Sequence, residues 1–278
     1  MFLKKSLRKL TRLLIFFFPH IILFAQNSNK ITKSQLPNYV LPVEVDYEKT
    51  IPYNNLSTYY LLFDEQFEIE NEKRYRRFVY KILNNSGLEE EGNIEIIFDP
   101  SYSTLSFHHI NIIREGKVIN KLDIDDFQLL QRETNMDQNV YDGQFTALLN
   151  LTDLRKGDIV DFSYTITGQN PIHQQKFQDE FYLTFQEPLG YLHKRIIVPK
   201  NRQIHIKTSN GATSPKITET QKSKIYAWTK QRAIIMKRIL PSGLIRIQKY
   251  KYQNLKTGKT IFLFTKLISF KQNKIGIF

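Results

Sequence analysis

An all-β fold is predicted for this chain: an antiparallel β-sandwich with a disordered or irregular C-terminal tail. Three observations lead there. Asp158–Thr167 (DIVDFSYTIT) alternates strictly, with Val160, Phe162, Tyr164 and Ile166 on one side and Asp161, Ser163 and Thr165 on the other. Such a pattern describes a strand with one face in the core. Several other runs are short, rich in β-branched and aromatic residues, and separated by turn chemistry. No part of Gln26–Ser242 carries a long apolar stripe of helical period, so one short helix at most is expected.

The strands follow in order. Tyr59–Ile69 is the first, and Arg77–Leu83 (RFVYKIL) the second, closed by a turn at Asn84-Asn85-Ser86-Gly87. Asn93–Phe98 (NIEIIF) ends at Asp99-Pro100-Ser101, and Leu105–Arg114 (LSFHHINIIR) at the hairpin turn Glu115-Gly116-Lys117. Phe145–Leu151, Phe181–Phe185, Tyr191–Val198, Ile204–Thr208 and Lys224–Thr229 complete the set. Phe and Tyr make up most of the 13% aromatic content. They suit a core and sheet faces better than a carbohydrate or peptide groove.

Charge separates this region from its two ends. The chain has 40 Lys+Arg against 27 Asp+Glu, with no acidic residue before Glu44 or after Glu219. Five basic residues lie in residues 1–25 and eight in residues 243–278, so Gln26–Ser242 holds 27 of each sign. The isoelectric point near 9.6 therefore comes from the ends and does not argue for a specific nucleic-acid partner. At the N-terminus Lys4, Lys5, Arg8, Lys9 and Arg12 precede the apolar run Leu13–Phe24, and Ala25 stands before Gln26. This is the grammar of a cleaved signal peptide over residues 1–25, followed by a linker over 26–39. The run has 12 residues and contains Pro19 and His20, whereas a membrane span takes about 20 apolar residues. An uncleaved anchor is the rival reading. Export to the periplasm or beyond is expected, with no stable membrane span after cleavage. With no cysteine in the chain, disulfides, thiolate metal sites and Cys nucleophiles are excluded.

The same residues carry a resemblance. Tyr59–Phe67 is followed by Arg77–Leu83, Gly87-Leu88, Phe98-Asp99-Pro100 and the Gly116-Lys117-Val118 hairpin. Gly157-Asp158-Ile159-Val160 then leads to Phe162 and Tyr164, and Phe185-Gln186 and Tyr226…Trp228 come last. This succession resembles domain of unknown function 3857, the module at the N-terminus of exported bacterial transglutaminase-like proteins. The resemblance runs from about residue 40 to Ser242. It implies a β-sandwich, an envelope location and a Bacteroidota-like source. It transfers no catalytic residue, because the Cys-His-Asp machinery of such proteins lies in the domain that follows.

The tail over residues 243–278 then has two readings. Leu240-Pro241-Ser242 falls where members of the resembled family tend to read PSW-F-x-x-Y-P-x-I-Q-x-S-E-[YF]-K-x-W, and this chain has GLIRIQKYKYQNLKTGKT. Codons for this string, read one base out of frame, can spell WFDPYPKIQISEFKNWKD, which fits that pattern, so loss of one base near Ser242–Gly243 accounts for the tail. A genuine basic tail, enriched in Lys by AT-rich DNA, is the alternative. Eight basic residues without an acidic one fit a lost frame better than a soluble surface of mixed sign.

No catalytic, cofactor-binding or metal-ligating residue emerges. Lys256-Thr257-Gly258-Lys259-Thr260 imitates the end of a phosphate-binding loop, but Gln253 stands where its first Gly belongs. His108 and His109 are adjacent in a strand, which places them on opposite faces and off a common metal. His173, His193 and His205 lack a Cys neighbour or His partner, and no triad spacing is visible. Asp123, Asp125 and Asp126 lack the Gly and Glu of a calcium loop and suit a solvated turn. Glu89-Glu90-Glu91 reads as an exposed charge run. The expectation is a non-catalytic envelope module without cofactor, cut short before a transglutaminase-like domain. The alternative is a stand-alone domain that binds peptide or glycan.

Overall fold

The computed structural model describes residues 30–49, 51, 56–131, 143–174, 176–183, 188–208, 212–233 and 249–253, with 232, 233 and the last five by their backbone alone. The signal-peptide region, Lys256–Thr260 and the apolar residues Ile261–Phe270 lie outside them. Strands dominate, as predicted. β1 (Ile31–Lys33), β2 (Thr58–Glu68), β3 (Lys73–Ile82), β5 (Thr104–Arg114), β6 (Lys117–Asn120), β9 (Ile159–Thr167), β11 (Leu189–Pro199), β13 (Lys216–Glu219) and β14 (Ser223–Ala233) form one nine-stranded sheet. Its order is β1-β5-β9-β3-β2-β11-β14-β13, with β6 hairpinned on β5. Two three-stranded sheets accompany it. One has the order β4 (Asn93–Phe98), β8 (Phe145–Asn150), β7 (Gln128–Gln131), and the other β10 (Gln178–Tyr182), β15 (Lys249–Gln253), β12 (His205–Thr208).

One apolar cluster joins all three sheets, which makes the molecule a sandwich. The inner face of the large sheet supplies Phe63, Phe78, Phe107, Phe162 and Leu192, the β4 sheet Ile94, Ile96 and Leu149, and the β10 sheet Phe181. The rings of Phe63, Phe78 and Phe162 stack in sequence across β2, β3 and β9, with centroids 4.9 and 5.3 Å apart. Aromatic content thus goes into the core. Gly87 shows how tightly this edge is packed, since a Cβ there would lie 2.3 Å from the Ser57 carbonyl oxygen.

The structure corrects the sequence reading in several places. The large sheet is mixed, because β2 pairs with β11 and β1 with β5 in parallel. Partners so far apart in the chain can be joined by long connections that allow parallel pairing, which hairpins do not. Asn84 does not open a simple turn. It caps the helix α1 (Asn85–Glu91), its side chain accepting from the Gly87 N–H at 3.1 Å. Within α1, Glu90 and Glu91 accept hydroxyl hydrogen bonds from Ser57 and Tyr60 at 2.7 and 2.8 Å. Inside the stretch expected as linker, Ile31 is buried in β1 opposite Leu105. Inside the stretch expected as irregular tail, β15 pairs with both β10 and β12.

The largest departure concerns the outer face of the big sheet. β9 is buried on both sides, Asp161, Ser163 and Thr165 no less than Val160, Phe162 and Tyr164. Residues 36–49 lie over that face as a strap, with Val43, Val45 and Tyr47 packed on a second apolar cluster built from Leu62, Val79 and Ile159. No helix among the described residues is long and apolar enough to cross a membrane.

Candidate functional site

Charged residues inside strands β2, β3 and β11 build two buried polar layers, one on each face of the large sheet. On the inner face, Glu65 of β2 faces Arg76 at 2.5 Å, Arg74 at 3.3 Å and the Lys194 ammonium. Asp179 of β10 holds Arg74 at 3.1 Å and Lys194 at 3.3 Å, so the cluster ties the β10 sheet to the large one. Arg74 lies over the Phe67 ring and Lys194 over the Phe181 ring, 4.5 and 3.9 Å from their centroids. Burial alone would raise the Glu65 carboxyl. The cations Lys194, Arg76 and Arg74 outweigh it and hold the group well below the usual carboxylate range.

The outer layer is centred on Asp161. Arg77 donates to both of its oxygens, at 2.9 and 2.7 Å, and also to the Val43 carbonyl at 2.8 Å. Tyr47 donates to the same carboxylate at 2.7 Å and His109 Nε2 at 2.8 Å. Strap and sheet are thereby bound through one anion. Burial pushes Asp161 up, and the hydrogen bonds of Arg77 and His109 more than reverse this, leaving it well below the normal range. The Tyr47 hydroxyl is pushed up to about 12 by burial and by the Asp161 charge beside it.

A bulge in β5 between Phe107 and His109 brings His109 into this layer. Phe107 and Ile110 remain in the core, so His108 and His109 both turn to the outer face, which corrects their expected placement on opposite faces. Their partners differ. His108 Nε2 meets the Thr165 hydroxyl at 2.8 Å, whereas His109 Nδ1 meets Ser163 Oγ at 2.9 Å. Ser163, His109 and Asp161 thus form a hydrogen-bonded series that sequence spacing did not reveal. Four hydrogen bonds are donated to Asp161, and Ser163 is completely buried in mid-strand, so the series ties β5 to β9 inside the polar layer.

The other histidines separate. His173 sits on an exposed 3-10 turn and His205 at the start of β12. His193 is buried, its Nδ1–H donating to Asp64 at 2.7 Å. Asp123 accepts from the Asp125 N–H at 3.1 Å, a local turn contact. Among the described residues no three His, Asp or Glu side chains are grouped to hold a metal ion.

Where the strap leaves the sheet, a groove of about 760 Å³ opens. Leu41–Asp46 and Lys49 form one wall, and the outer faces of β11, β14 and β13 the floor. Tyr191, His193 and Arg195 lie along β11, with Ala227 and Thr229 beside them on β14 and Lys216 on β13. Asp64 is occupied by His193 and by Gln66 Nε2 at 2.9 Å. Among the described residues Arg195 donates to neutral acceptors, Gln66 Oε1 at 2.5 Å and the Tyr39 carbonyl at 3.2 Å.

No curated protein matches the chain. A crystal structure from Parabacteroides distasonis described as a "putative protease" shares the fold, with a TM-score of 0.61 at 14% identity. The likeness covers 72% of this chain and 41% of that one, so this chain spans less than half of that protein's length. The family model for the domain of unknown function DUF3857, a family with a solved structure, matches residues 70–233. This range holds the Arg74–Arg77 run, the β5 bulge, Asp161 and the paired strands β11 and β14, and the chain belongs to that family.

Proposed function

We propose that this chain is a non-catalytic β-sandwich module of an exported envelope protein. In this reading it corresponds to the N-terminal part of a larger transglutaminase-like protein, read out of frame after Ser242. The observation that carries the non-catalytic reading is the state of the Ser163–His109–Asp161 series. Its carboxylate is consumed by Arg77 and Tyr47, and its hydroxyl is sealed beneath the strap. The similarity to less than half of a longer chain supports a module that works beside another domain.

The purified protein, given amine donors with glutamine peptides or a mixed peptide pool, is expected to show no turnover. Activity that disappears in Ser163→Ala would overturn the non-catalytic reading. Intact mass of the exported protein is expected to begin at Gln26, and a product that still begins at Met1 would defeat signal cleavage. Nucleotide sequence across codons 238–262 decides the frame. A second frame that lacks both the WFDPYP string and a downstream Cys-bearing stretch would defeat truncation. A second reading, ligand binding, is favoured by one observation, the groove with a guanidinium in its floor that has no carboxylate partner among the described residues.

A further inference from the structure

The arginines of this protein differ in one respect. Arg74, Arg76, Arg77 and Arg114 each hold a carboxylate within 3.3 Å. Arg195 is 9% exposed, and no carboxylate lies within ion-pairing distance of it among the described residues. A guanidinium carries five N–H donors. One of its nitrogens, Nη1, serves Gln66 and Tyr39, Nε and Nη2 have no hydrogen-bond partner among the described residues, and Arg195 lines the groove. Burial pulls the Arg195 pKa down, and the charge of Asp64 offsets this only in part.

The floor beside it is built to be open. The register places Arg195, Ala227 and Lys216 in one row across β11, β14 and β13. Strands lie about 4.8 Å apart, so the two cations flank a gap roughly two strands wide, floored by the smallest side chain available. In the next row His193 faces Thr229, and with Nδ1 committed to Asp64 its Nε2 is left for the groove. Opposite, Glu44 and Asp46 line the wall.

We propose that this groove binds peptide through a carboxylate, with Arg195 as the anchoring group and Lys216 and His193 beside it. The proposal deepens the ligand-binding reading and rests on it. A carboxylate fits the charge better than a phosphate, because Glu44 and Asp46 already offset two of the three lining cations Arg195, Lys216 and Lys49. Lining groups of both signs suit a peptide, whose N–H and ammonium groups can meet the acidic wall. A glycan would need a stacking platform. Among the described residues that line the groove, Tyr191 is the only Phe, Tyr or Trp, and its ring lies parallel to His193 with centroids 6.5 Å apart.

The test uses the purified full chain and fluorescence anisotropy with labelled probes. These are an Asp/Glu-containing hexapeptide with a free C-terminus, its C-terminal amide, its Asn/Gln counterpart and an oligogalacturonate. The acidic hexapeptide is expected to bind with an affinity that falls as salt rises. Loss on amidation assigns the terminal carboxylate, and loss in the Asn/Gln peptide the side chains; either supports the proposal. Arg195→Gln and Ala227→Glu are each expected to weaken binding at least tenfold. Ala227 takes no part in the buried layers, so A227E keeps the test informative if R195Q fails to fold. Absence of peptide binding, equal binding by A227E, or preference for oligogalacturonate would overturn the proposal. None of these outcomes depends on turnover, so this proposal and the non-catalytic reading can fail independently.

Discussion

Phe162 and Ser163 are neighbours on β9 that the alternation assigns to opposite faces, and both are buried. Phe162→Asp puts a charge among Phe78, Tyr80 and Tyr164, at a cost of several kcal/mol. Ser163→Asp, harmless on a solvated face, here sets a second carboxylate near Asp161 and removes the hydroxyl that His109 meets. Both variants are expected to unfold at clearly lower denaturant concentration, by chemical melts of the purified protein. A midpoint for S163D equal to that of the parent would show the strap to be open in solution. Acid supplies a second prediction at this scale. Glu65 and Asp161 are held below their unfolded values near 4. The unfolded chain therefore binds protons first, and the stability these groups add is complete above about pH 4. It is lost as pH falls below that through their folded values. Melting midpoints flat between pH 5 and 7 and falling steeply below 4 are expected; a fall already complete by pH 5 would exclude these carboxylates as its cause.

At the scale of elements, the strap is the part that alternation could not show. Its segment, Leu41–Lys49, has neither a strand partner nor a helical period, and it is held by side chains. Gln66 accepts from the Leu41 N–H at 2.9 Å and donates to its carbonyl at 2.7 Å, as a neighbouring strand would. Asp161, through Arg77 and Tyr47, holds Val43 and Tyr47. Asp161→Ala leaves Arg77 buried without its anion, and removal of one partner of a buried pair costs roughly 3–5 kcal/mol. Limited proteolysis of D161A is expected to cut first within residues 37–49, ahead of global unfolding; cleavage elsewhere first would show that another contact holds the strap. The strand cores were legible because period two survives wherever one face meets the apolar cluster, as in β4. The polar layers left a weaker trace. Asp64-Glu65-Gln66, Arg74 to Arg77 and Lys194-Arg195 are charges set inside strand-like runs, a pattern that a solvated strand face shares, so their burial could not be told from it. The β5 bulge left no such mark, since register depends on partners distant in sequence. Nor could the groove be read, because its floor and wall come from segments more than 140 residues apart.

For the whole molecule the open question is how far the fold reaches past Ser242. A lost reading frame predicts that residues 243–278 add nothing to stability. β15 argues otherwise for its own five residues, since it lies between β10 and β12 with register to both. Strand pairing draws mainly on backbone groups, and Lys249–Gln253 (KYKYQ) alternates Tyr with polar residues, a pattern that a strand accepts. A shifted frame can therefore keep a strand while losing the sequence. Without β15 the edges of β10 and β12 lose their partner, while Asp179 of β10 keeps its link to the large sheet through Arg74 and Lys194. Truncation after Ser242 is thus expected to loosen one small sheet and leave the nine-stranded sheet folded. Every backbone hydrogen bond that β15 makes to its two neighbours is lost, at about 1 kcal/mol each, so the melting midpoint is expected to fall clearly. Hydrogen exchange should quicken at β10 and β12, with protection unchanged at β3 and β9. A truncated protein with the parent's melting midpoint and unchanged exchange at β10 would show that β15 contributes nothing and that the sandwich ends before it.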